Sequence, residues 1–147
     1  MNLAKTLGRM KTVKITYIED GQEKTDRVTV AKAPLGKWKQ LTESINNLLE
    51  VLPEILKKKG VEDPEKYIEQ MGIQEFVMLI PDMLEFAVNE IINVLAIGTG
   101  LTTEYIEKKV GLDETIDLLE AIIEVNGIVK VVEKGKNLKN LFIQKQK

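Results

Sequence analysis

The rhythm of apolar positions changes once along this chain. Val13, Ile15 and Tyr17 alternate with polar residues up to Glu19-Asp20-Gly21; after Val28 and Val30 the apolar positions advance by threes and fours through Trp38, Leu41, Ile45, Leu48, Leu52 and Ile55. Alternation puts every second side chain on one face of a strand, whereas steps of three and four build one stripe along a helix. The first pattern predicts strands over residues 11–18 and 24–30, joined at Glu19-Asp20-Gly21-Gln22, where Asp-Gly suits the positive torsions of a tight hairpin. The second predicts a helix over residues 37–58, entered through Ala33-Pro34-Leu35-Gly36 and ended by Gly60. Pro53 lacks an amide donor and its ring crowds the carbonyl four residues back, so a kink or division is expected near Leu52.

Asp63-Pro64-Glu65 reads as a helix start, with an Asp to cap free amides and a Pro already set to helical φ, and the helix should run to about Met71. Residues 73–97 contain 17 apolar positions out of 25, interrupted by Pro81 and by a polar stripe of Asp82, Glu85, Asn89 and Asn93. A helix apolar over most of its circumference belongs at the centre of a bundle or against a partner. Gly98 and Gly100 are expected to stop it. Thr102 or Thr103 can cap a helix over residues 104–110, and Asp113 another that begins at Glu114 and closes at Asn126-Gly127. Over residues 128–132 the β-branched side chains pull towards strand and the preceding periodicity towards helix, with continuing helix preferred. The expected fold is therefore α+β and predominantly helical: an N-terminal antiparallel β-hairpin followed by about five helices packed as an irregular bundle. Residues 1–10 read as a leader, 11–133 as a single domain (hairpin 11–30, helical body 35–133), and 134–147 as a Lys-rich flexible tail.

At 147 residues, 44% hydrophobic and 30% charged, the chain has the size and composition of one globular domain. Its net charge is −2, and the five Lys of residues 134–147, which include no acid, leave −7 on residues 1–133. That balance argues against a nucleic-acid partner, which needs a concentrated cationic field. Cys and His are both absent. Disulfides, thiolate nucleophiles, zinc sites built on sulfur or imidazole and the commonest general base go with them, so no cofactor, metal or enzymatic activity is expected. No secretory signal or membrane span stands out, which makes a cytoplasmic location the expectation.

Asp113, Asp117, Glu120 and Glu124 form one ribbon on a helix, and carboxylates so spaced can bind hard cations or act as acid and base. A helical ribbon lacks the enclosing carbonyls of a calcium site, however, and acids near a helix N-terminus are favoured by its dipole, so a solvated face is the plainer assignment. Trp38, in phase with Leu41, and the set Phe76, Met78, Met83 and Phe86 admit two assignments. Aromatic anchors and flexible Met side chains suit a partner surface, while the same residues at helical spacing commonly form core. These six are the candidate partner-binding residues. Gly98-Thr99-Gly100 lacks the strand and the Gly-Lys-Ser/Thr of a phosphate loop.

The order of elements then becomes informative. A short hairpin, Ala33-Pro34-Leu35-Gly36-Lys37-Trp38-Lys39 opening an amphipathic helix, an apolar helix containing Ile80-Pro81-Asp82, then Leu101-Thr102-Thr103-Glu104 and the closing run from Asp117 to Gly127 resemble the tail assembly chaperones of long-tailed bacteriophages and prophages. The likeness covers roughly residues 11–130. It implies a non-enzymatic helical protein of the bacterial host cytoplasm that binds the tape measure protein, helps recruit tail tube protein around it, and is absent from the mature virion. It transfers no catalytic residue. Surplus apolar surface of the kind such a role needs also favours a homo-oligomer. The alternative is a small helical adaptor or regulatory protein of a mobile element acting through protein contacts.

Overall fold

The computed structural model describes residues 10–127; the expected leader, the 128–132 segment and the Lys-rich tail lie outside them, apart from Met10 at the leader's edge. Strands β1 (Met10–Glu19) and β2 (Gln22–Ala31) pair antiparallel in register from Met10↔Ala31 to Glu19↔Gln22. Asp20 (φ 55°) and Gly21 (φ 75°) both take left-handed backbone, the torsions a two-residue turn needs to match the strand twist. One face of the ribbon buries Val13, Ile15, Val28 and Val30. The other is exposed, and carries the cross-strand pairs Thr12–Thr29 and Thr16–Thr25.

Helix α1 (Leu35–Lys58) begins two residues before the expected start and runs through Pro53 without a break. The expected division at Leu52 is thus corrected. Proline removes one amide from the ladder, while Leu48, Leu52, Ile55 and Leu56 on either side are buried and hold the segment helical. At its end the Val61 amide donates to the Leu56 carbonyl (3.0 Å) and the Gly60 amide to Lys57 (3.1 Å), with Gly60 at φ 89° supplying the left-handed step of a Schellman cap. Helix α2 (Pro64–Gln70) is capped by Asp63, whose carboxylate accepts from the Lys66 amide.

Helix α3 (Ile73–Thr99) packs against α1, β2 and the two helices that follow it. It continues through Pro81 and breaks instead at Ala87 (φ −143°, ψ 39°). Gly98, expected as a stop, lies inside it: a Cβ there would fall 2.5 Å from Ile122 Cδ1, so its role is close packing. Gly100, at φ 81°, is the terminator. Helix α4 (Thr103–Lys109) is capped by Thr102, which accepts from the Tyr105 amide. Helix α5 (Leu112–Asn126) starts two residues earlier than expected, because Glu114 reaches back to the Gly111 amide at 2.9 Å. Asp113 therefore sits in the first turn and is not the cap. One buried cluster joins Ile15 and Val30 of the hairpin to Leu48, Ile80, Ile91, Ile106 and Ile122 of the helices. The architecture is the expected α+β one, predominantly helical, with a hairpin and then five helices among the described residues.

Candidate partner-binding surface

The six candidate residues separate by depth. Leu41 and Met83 are fully buried core side chains, which removes them from any contact surface in this conformation. Phe76 is half-buried and packs against that core, and Trp38 is half-buried at the start of α1. Met78 is 76% exposed and Phe86 45% exposed, on the α3 helix that the sequence places at the centre of the bundle. Val88, which spacing alone did not single out, is 46% exposed. Along α3 the exposed positions are Gln74, Glu75, Met78, Pro81, Glu85, Phe86, Val88, Asn89 and Asn93, a solvent-facing side in which four of nine members are apolar. Lys58 Nζ stands 3.9 Å from the centre of the Phe86 ring, and Lys59 Nζ pairs with Asp82 at 2.6 Å. The end of α1 thus sets two cations against this side of α3, at Phe86 and Asp82.

The acidic ribbon of α5 is exposed at Asp113, Asp117 and Glu124 and half-buried at Glu120. Glu124 pairs with Lys11 at 2.7 Å, and among the described residues no three Asp or Glu converge as a metal site would require. Glu114, adjacent in sequence to the ribbon, accepts from both the Gly111 and Thr16 amides and so pins α5 to the edge of β1.

A second polar cluster joins α4 to the hairpin beside a cleft of about 210 Å³ lined by Thr102, Glu104, Tyr105, Lys108 and Lys109. Tyr105 donates to Asp26 at 2.7 Å, and Lys109 lies 3.4 Å from Glu19 and 4.5 Å from the centre of the Tyr17 ring. Burial, then the Asp26 hydrogen bond, pushes the Tyr105 phenol well above its ordinary range. Burial opposes the charge on Lys109, yet Tyr17, Glu19 and Asp26 together outweigh it and raise its pKa; hydrogen bonding and charge from Lys24, then Lys109, lower that of Glu19. Each group is thereby driven further into the state it already holds at neutral pH. The contacts of Tyr105 with Asp26 and of Lys109 with Glu19 and Tyr17 clasp this helix to the hairpin.

No single described helix is long and apolar enough to cross a membrane. No family model, no curated protein and no solved structure matches this chain.

Proposed function

We propose that this chain is a tail assembly chaperone of a long-tailed bacteriophage or prophage, which binds the tape measure protein, assists assembly of the tail tube around it and does not remain in the virion. The element order and the residues quoted for the resemblance motivate this reading. The single structural observation that supports it is the exposure of Met78, Phe86 and Val88 on a helix whose opposite face, from Leu79 to Leu95, enters the core. A long helical client, prone to aggregate alone, needs such an apolar stripe on an otherwise polar scaffold, and flexible Met side chains suit varied helical surfaces.

The test is co-expression with the tape measure protein encoded beside it, followed by co-purification. Wild-type chain should hold the client in solution. Met78→Asp should release it while leaving the circular dichroism spectrum unchanged, because Asp at a position this exposed adds no buried charge. Full capture by Met78→Asp and by Val88→Asp would sink this reading, and a gene neighbourhood without a tape measure protein would return the chain to the adaptor class.

A further inference from the structure

A two-stranded ribbon has two edges, and here they are treated differently. The pair that closes a two-residue turn, Glu19↔Gln22, exchanges main-chain hydrogen bonds, and alternation then turns the amides and carbonyls of Thr12, Lys14, Thr16 and Ile18 outward on β1 and those of Glu23, Thr25, Arg27 and Thr29 outward on β2. On β1 the outward Thr16 amide is held by Glu114 at 2.6 Å. On β2, among the described residues, no hydrogen bond reaches the outward main chain of Glu23, Thr25, Arg27 or Thr29, and all four residues are exposed. The ladder is ten pairs long, free of bulges and free of Pro, so of the devices that commonly guard an edge this side has charge alone.

The charges along that edge read Glu23, Lys24, Thr25, Asp26, Arg27. In an antiparallel pairing of β2 with β2 of a second copy about a two-fold axis at Thr25, Glu23 faces Arg27 and Lys24 faces Asp26, each twice. Centring the axis one or two residues away instead sets Glu23, Lys24, Asp26 or Arg27 opposite itself, which like charge disfavours. Within the chain Glu23 and Arg27 have no ion-pair partner among the described residues, and Arg27 stands across the ladder from Lys14. We infer that the outer edge of β2 binds the same edge of a second copy of this chain, in the register centred on Thr25, to form a four-stranded antiparallel sheet through about six new main-chain hydrogen bonds. The contact is isologous, and Glu114 occupies the Thr16 amide at the middle of the β1 edge, so association closes at a dimer.

Sedimentation and light scattering of the full chain test this. The wild type should dimerise with rising concentration. Thr25→Pro deletes an outward amide that the β1–β2 ladder does not use, so it should leave circular dichroism intact and abolish the dimer. Glu23→Lys and Arg27→Glu should each weaken dimerisation about tenfold or more, whereas an equimolar mixture of the two variants, and the double variant, should recover it because opposite charges again face each other. A wild-type chain monomeric up to about 1 mM overturns the proposal, as does a dimer indifferent to Thr25→Pro or to the charge swap. Concentration-independent protection of the Thr25 and Arg27 amides from hydrogen exchange would put another segment of the same chain on this edge, and that too would overturn it.

Discussion

At the scale of single residues, several side chains join parts of the chain that lie far apart in sequence, Asn126, Glu114 and Tyr105 among them. Asn126 accepts from the Ala33 amide at 2.8 Å while donating to Ile122, Glu114 accepts from Thr16, and Tyr105 donates to Asp26. Of these the Tyr105 contact has a pH signature. Its phenol pKa is raised by burial and by Asp26, so the folded state holds that proton more tightly than the unfolded one. The sign follows: the contribution is complete below the ordinary phenol value of about 10 and is lost as pH rises beyond it, with Lys109 adding to the loss in the same direction. Tyr105→Phe should lower stability by about 1 kcal/mol at neutral pH, the cost of one hydrogen bond to a half-buried carboxylate. It should also flatten the fall of the urea midpoint above about pH 10. An alkaline limb unchanged in the variant would locate that titration elsewhere.

At the scale of elements, the two prolines inside helices and the helix break at Ala87 do not coincide. Pro53 and Pro81 both sit within continuous helix, and α3 breaks at Ala87, where no Pro or Gly is present. Local sequence supplies no cause for a break at a good helix former, so the bend belongs to packing: Leu79, Ile80 and Met83 on one side of it and Ile91, Val94 and Leu95 on the other enter the same core. Because α1 is already helical through position 53, Pro53→Ala restores the amide bond to Leu49 without moving the backbone. It should raise stability by about 1 to 3 kcal/mol, read as a higher urea midpoint with an unchanged slope. A lower midpoint would mean that the ring itself fills space in the α1 packing.

At the scale of the whole molecule, what matters is which apolar side chains the fold consumes and which it leaves outside. Met83→Asp places a carboxylate among fully buried side chains and should cost about 4 kcal/mol or more, a large share of the 5–15 kcal/mol that holds a domain folded. Thermal unfolding of Met83→Asp should therefore be lost or sharply lowered, while Met78→Asp, five residues earlier on the same helix, should stay within about 0.5 kcal/mol of wild type. Comparable losses in both would mean that Met78 is covered in solution, as association through α3 would require.

The local elements were legible because their causes are local. The hairpin follows from alternation and an Asp-Gly turn, the Gly60 and Gly100 stops from left-handed backbone, and the α2 start from Asp63-Pro64. Even the missed start of α5 was present as Glu114 three residues after Gly111. What tertiary structure alone decided is every question of neighbours. Gly98 looks like a stop until Ile122 is seen packed against it, Pro53 looks like a break until its flanking Leu and Ile side chains are seen buried, and Ala87 carries no sign of a bend at all. Met78 and Met83 share one chemistry and one apolar helix, and only the placement of α1, α5 and the hairpin around that helix made one of them core and the other surface. Periodicity states which residues lie on a common face; which face is covered depends on contacts between segments remote in sequence, and those have no local signature.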